Sequence, residues 1–141
     1  MFPVESKIIF CDDMRVIRET VRRNLIELGY RNLSSFVDAA EAWPAVVEAV
    51  KAKEPYQLII SDWNMPGMKG IDFLKNVRSL PEMKDVPFFL LTAENEINQI
   101  LEAKAAGVTD YILKPFTAAN LQEKLFRAYL RAKKNKAAKA G

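Results

Sequence analysis

Ile59-Ile60-Ser61-Asp62-Trp63-Asn64-Met65-Pro66-Gly67-Met68-Lys69-Gly70 is the stretch whose reading decides the fold. An apolar, β-branched run ends abruptly in a carboxylate, and Pro66, Gly67 and Gly70 then break the backbone before a new amphipathic segment begins. The pattern predicts strand, exposed acid, loop, helix. In an α/β sheet such an acid stands at the carboxyl end of a strand, where ligands of these sheets bind. Asp62 is therefore the candidate reacting group.

The same grammar repeats on both sides of this stretch. Upstream, Lys7 to Cys11 reads as a buried strand that stops at Asp12-Asp13, followed by an amphipathic helix with Ile17, Val21, Leu25 and Leu28 on its apolar side and Gly29 as its stop. Asn32 to Val37 is a weaker strand, and Asp38 can cap a helix carrying Val46, Val47 and Val50. Pro44 must sit in the first turn of that helix or kink it. Tyr56 to Ser61 is the third strand, and the helix after Gly70 ends near Pro81. Pro87 to Leu91 is a fourth strand ending at Thr92, and Ile97, Ile100, Leu101 and Ala105 recur at helical spacing up to Gly107. Tyr111-Ile112-Leu113 is a fifth strand ending at Lys114-Pro115, after which Thr117 caps a helix with Leu121, Leu125, Ala128 and Tyr129. Five strand-helix units in strict alternation predict an α/β domain, a doubly wound parallel sheet with helices on both faces.

The chain has 141 residues, enough for one domain with its own core. No apolar run approaches a bilayer span and no signal-peptide pattern opens the chain, so a cytoplasmic protein without membrane insertion is expected. One cysteine, Cys11, excludes an internal disulfide, and its place in a core strand reads as packing rather than redox chemistry. The absence of histidine excludes Ser-His and Cys-His catalysis and histidine metal ligation. Residues 131–141 hold five basic residues and no acid, leaving 16 basic against 18 acidic over residues 1–130. The division expected is a domain over 1–130 with a mildly acidic body and a solvated basic tail over 131–141; nucleic acid is not the expected partner.

The polar residues at the strand ends are Asp12 and Asp13, Asp62, Thr92 and Lys114, and a doubly wound sheet brings such ends to one crevice. Crowded carboxylates repel and take up protons unless a positive charge sits among them. Oxygen ligands alone favour a hard cation, and a few carboxylates with room for waters and a phosphate oxygen suit Mg²⁺. Such a cation would let Asp62 attack a phosphoryl group, with Thr92 donating to one phosphoryl oxygen and Lys114 pairing with another. Trp63, beside the site, is expected as an exposed loop aromatic.

These residues, at these positions and in this order, resemble the receiver domain of two-component response regulators. Ser61-Asp62-Trp63-Asn64-Met65-Pro66 and Lys114-Pro115-Phe116-Thr117-Ala118-Ala119 are especially similar to the stand-alone chemotaxis regulators of that family. The resemblance covers about residues 7–130 and implies a flavodoxin-like five-stranded sheet in the order 2-1-3-4-5 with five helices. It implies that Asp62 is the phosphoacceptor, that Asp13, Asp62 and the backbone carbonyl of Asn64 bind Mg²⁺ with Asp12 acting through a metal-bound water, and that Thr92 and Lys114 hold the phosphoryl oxygens. It also implies a cis Lys114-Pro115 bond, tuning of acyl-phosphate hydrolysis by Asn64 and Glu94, and a Thr92–Tyr111 switch that alters an output face carrying Tyr111 and Lys124. The donor implied is a sensor histidine kinase, and the output is binding to a downstream protein in chemotaxis, such as a flagellar motor switch. Catalysis is limited to the chain's own aspartyl phosphorylation and dephosphorylation.

Three departures from the enteric chemotaxis pattern stand out: Asn95-Glu96-Ile97 where that pattern is basic, Met14-Arg15 where it has an aromatic and a serine, and a longer segment over 38–56. Service as a phosphorelay intermediate, a receiver cut from a longer DNA-binding regulator, and a small Mg²⁺-dependent phosphohydrolase stay open as alternatives.

Overall fold

The computed structural model describes residues 1–93 and 99–140, with side chains as far as residue 136. Five parallel strands, β1 (Ile8–Cys11), β2 (Leu33–Phe36), β3 (Leu58–Asp62), β4 (Phe88–Ala93) and β5 (Asp110–Lys114), form one sheet in the order 2-1-3-4-5. Five helices alternate with them: α1 (Arg15–Glu27), α2 (Ala39–Lys51), α3 (Gly70–Ser79), α4 (Ile100–Ala105) and α5 (Ala118–Ala140). Among the described residues, no helix is long and apolar enough to cross a membrane.

Strand alternation divides the core in two. Ile9, Cys11 and Ile59 face Val46, Phe73 and Leu74 on the α2/α3 side. Ile8, Phe10, Leu58 and Ile60 face Val21, Leu25, Leu121 and Leu125 on the α1/α5 side. Strands covered on both faces read as continuous apolar runs, and the sequence shows them so. The two edge strands are the exceptions: Leu33 to Phe36 of β2 are only half-buried, and in β5 Ile112 alone is buried.

The register lines up the functional ends. Cys11 lies opposite Ser61, Asp62 opposite Leu91, and Thr92 opposite Leu113. Asp12 and Asp62 therefore stand level at the carboxyl edge, with Thr92 one residue and Lys114 two residues farther along their strands. Because the chain leaves β1 in one direction and resumes at β3 on its other side, the gap between these two strands is the topological switch point.

One expectation needs amendment, and the choice left open for Pro44 is narrowed. Trp63 is not exposed; it is only 3% accessible and joins the α2/α3 core. β3 runs on to Asp62, and the Trp63 N–H still bonds the Leu91 carbonyl at 2.9 Å, so strand alternation continues and carries the indole to the face opposite Asp62. Pro44 lies beyond the first turn of α2, which continues through it to Lys51. Asp38 caps that helix as expected, accepting from the Glu41 N–H at 2.9 Å.

Candidate phosphoacceptor site

Asp12 follows β1 and is 1% accessible, Asp13 beside it is exposed, and Asp62 ends β3 at 5%. Ligand oxygens from the three carboxylates lie within 4.8 Å of one another. The Lys114 ammonium, from the end of β5, donates to Asp12 Oδ2 at 2.8 Å and to Asp62 Oδ1 at 2.9 Å. Asp12 Oδ1 accepts from the Met14 N–H at 2.9 Å, which orients this carboxylate at the entry to α1. Residues a hundred positions apart thus share one site.

The electrostatics follow from that crowding. Burial pushes the Asp62 carboxyl up from 3.8 to about 6; Lys114 opposes the shift, and the Asp12 and Asp13 charges add to it. Burial also works against the Lys114 ammonium, but its bonds to Asp12 and Asp62 outweigh that and hold it above the ordinary lysine range. Three oxygen donors and one ammonium leave the cluster rich in negative charge, with hard ligands and no histidine or thiolate, a set that fits Mg²⁺. Cys11, directly beneath, has its thiol pushed up to about 12, chiefly by burial, which keeps it out of thiolate chemistry.

A pH dependence with an unusual sign results. Asp62 keeps its proton to higher pH in the fold than in the unfolded chain, so between about pH 4 and 6 the folded state binds more protons. Its contribution to stability therefore falls as pH rises through that window, by at most about 3 kcal/mol. In chelator, Asp62→Asn is expected to match wild type near pH 4 and to be the more stable protein above about pH 6, as read from urea midpoints. A wild type that gains on the variant across this range would contradict the shift.

Thr92 is buried at the end of β4, its hydroxyl donating to the Ala93 carbonyl at 3.2 Å. Asn64 is exposed on the loop after β3, a loop pinned by burial of Trp63 and Met65 on either side. The Lys114-Pro115 bond is cis, as the resemblance implied. Tyr111 is half-buried on β5, and Lys124 of α5 reaches over its ring at 4.7 Å while donating to Asp110 at 3.2 Å. Glu94 and the Asn95-Glu96-Ile97 departure lie outside the described residues.

Three supports were not foreseen from the sequence. Arg18 Nη1 donates to the Asp12 carbonyl at 2.7 Å, fixing the backbone that carries the acidic pair. Ser61 donates its hydroxyl to the Asp62 carbonyl at 3.0 Å and accepts from Cys11 Sγ at 3.4 Å. Gly70 packs so closely that a Cβ there would stand 2.3 Å from the same carbonyl. An arginine on an amphipathic helix and a serine within a strand carry no signal of such roles, whereas Gly70 at a helix start was at least visible as a break.

Comparison with known proteins accords with this geometry. The response regulator receiver domain model matches residues 8–126. The chain belongs to this family. Among curated proteins, the receiver is 43% identical to the chemotaxis protein CheY-3 of Vibrio cholerae over 125 residues, 89% of this chain and 92% of the relative. Among solved structures, Vibrio cholerae CheY4 superposes with a TM-score of 0.74 at 34% identity, covering 88% of this chain and 98% of that one. The receiver domain of a Pseudomonas aeruginosa sensor histidine kinase, solved with a magnesium ion coordinated in its active-site cleft, has a TM-score of 0.74 at 27% identity and covers 87% of this chain and 96% of that one.

Proposed function

We propose that this receiver is a single-domain response regulator whose Asp62 accepts a phosphoryl group from a phosphohistidine of a sensor kinase. The observation that carries the reading is the Lys114 ammonium bridging Asp12 and Asp62 within a three-carboxylate cluster. A structural ion pair needs one carboxylate; here two carboxylates share one ammonium and a third lies beside them, leaving a surplus of negative charge that a divalent cation balances. Asp12, Asp13, Asp62 and the Asn64 carbonyl are the donors we assign to Mg²⁺. Bound there, the ion supplies charge neutralisation for an incoming phosphoryl group.

In the transfer, an Asp62 carboxylate oxygen forms a bond to phosphorus as the phosphorus–nitrogen bond of the donor imidazole breaks, and the bonding pair leaves with the imidazole. The product is an acyl phosphate on Asp62. In this reading Lys114 and the Thr92 hydroxyl hold phosphoryl oxygens, and Asn64 and Glu94 govern the water that later hydrolyses the product. When Thr92 turns toward the phosphoryl group it vacates space for the Tyr111 ring, whose movement changes the contact it makes with the Lys124 ammonium at 4.7 Å. The face carrying Tyr111 and Lys124 then binds a downstream protein. Similarity to the chemotaxis protein CheY-3 supports chemotaxis as the setting; the cytoplasm as the compartment and a flagellar motor switch as a target are what the resemblance to chemotaxis regulators implies.

Acetyl phosphate with Mg²⁺ is expected to add one phosphoryl group, seen by intact mass, while chelator or Asp62→Asn abolishes the product. A variant labelled as well as wild type would defeat the assignment.

A further inference from the structure

Helix α5 has two apolar faces, and the domain uses one. Leu121, Leu125 and Ala128 turn inward and are buried. At about 100° per residue, Phe126 and Leu130 stand on the opposite side, where they are 44% and 50% accessible. Phe126 closes one end of a groove of about 420 Å³ whose other walls are Met1, Ala119, Gln122 and Glu123. In the other direction the same side runs on to Lys133 and Lys134, both exposed.

This region is of one sign. From Arg127 to the C-terminus there are six basic residues and no acid; the preceding acid of the helix, Glu123, is already bridged to Arg127 at 2.6 Å, and Asp85 lies beside Ala132, Asn135 and Lys136, on another side of the helix from Phe126 and Leu130. The receiver-domain match ends at residue 126, and α5 continues to Ala140. These last turns are tied to the domain: Arg131 donates to the Thr109 carbonyl at 3.0 Å, and the Phe2 ring packs edge-on against Tyr129 at 5.4 Å.

We infer that the outer face of α5 docks an acidic amphipathic helix of a partner protein. One apolar side chain of the partner enters the groove between Met1 and Phe126, its apolar stripe lies along Phe126 and Leu130, and its carboxylates meet Lys133 and Lys134. A second copy of this chain is a poor occupant, because its matching face offers Lys133 and Lys134 no carboxylate except Glu123, which is already bridged to Arg127. A nucleic-acid backbone would leave Phe126 and Leu130, the centre of the face, unmatched. A flat lipid surface does not use the groove. The face lies away from the Asp110–Lys124 bridge beside Tyr111, and docking here does not depend on phosphorylation of Asp62.

The probe is a fluorescein-labelled helical peptide of about 20 residues with leucines along one heptad stripe and glutamates flanking it, titrated with the full chain and followed by anisotropy. Binding is expected at about 50 mM salt, weakened roughly tenfold at about 200 mM. Phe126→Glu and Leu130→Glu should each weaken it at least about tenfold. Joint replacement of Lys133 and Lys134 by glutamate should weaken it similarly and flatten the salt dependence. Val37→Glu, at the opposite edge of the sheet, should change nothing, and circular dichroism verifies that each variant folds. The inference is overturned if the peptide does not bind, if a scrambled peptide of the same composition binds as well, if the Phe126 and Leu130 variants bind as wild type does, or if duplex DNA or phosphatidylglycerol vesicles bind more tightly than the peptide.

Discussion

Lys114→Met is expected to move two properties in opposite directions: Mg²⁺ binds about tenfold more tightly, while phosphorylation of Asp62 slows about a hundredfold. The ammonium occupies one oxygen of Asp12 and one of Asp62, so a metal ion entering the cluster must compete with it for both carboxylates. Removing the ammonium removes that competition and a repelling charge. The same ammonium is the fixed positive group nearest Asp62, and without it the phosphoryl oxygens lose a charge-assisted partner as the new bond forms. Methionine keeps the unbranched stem and leaves the surrounding packing in place. Asp62 is also held down by Lys114, so the variant's carboxyl should titrate above about 6, and the comparison belongs near pH 8 where it is ionised. Calorimetric titration with Mg²⁺ and labelling with acetyl phosphate at saturating Mg²⁺ give the two readouts. Loss of both together would reduce Lys114 to a structural ion pair.

Gly70→Ala carries the second large effect. An added methyl would stand 2.3 Å from the Asp62 carbonyl, 3.0 Å from Leu90 Cδ2 and 3.1 Å from the Trp63 Cα, two backbone atoms and a fully buried side chain that cannot all yield. Either α3 shifts outward or the backbone bearing Asp62 does. The shift is expected to cost about 1–3 kcal/mol in stability, and to slow phosphorylation by roughly a hundredfold if Asp62 moves by about 1 Å. Gly67→Ala is the informative contrast. Gly67 has a φ of +81° with open space around it, so alanine there carries only backbone strain, about 1 kcal/mol, and the phosphorylation rate should stay as it is. Equal rates for Gly70→Ala and wild type would show that the close approach does not position the site.

Much of the site was legible because its residues sit where strands stop. Asp12-Asp13, Asp62, Thr92 and Lys114 each interrupt an apolar run, and a parallel sheet has only one edge at which such interruptions can collect. The supports behind them were not legible. Arg18 on the Asp12 carbonyl, Ser61 on the Asp62 carbonyl and Lys124 on Asp110 are polar side chains whose sequence context is equally that of a solvated residue, and their partners are fixed by distances across elements.

The sequence by itself determined the alternation of strand and helix, the acids at the strand ends and the one-signed charge beyond Arg127, because periodicity and residue type are local properties of the chain. Tertiary structure alone decided that the Lys114 ammonium bridges Asp12 and Asp62, that burial raises the Asp62 carboxyl to about 6 against the pull of that ammonium, that Trp63 turns into the core, and that Phe126 and Leu130 face away from the body that buries Leu121 and Leu125. These depend on register and burial. Register is a relation between strands, burial a relation between a residue and everything packed around it, and neither exists until the sheet has closed.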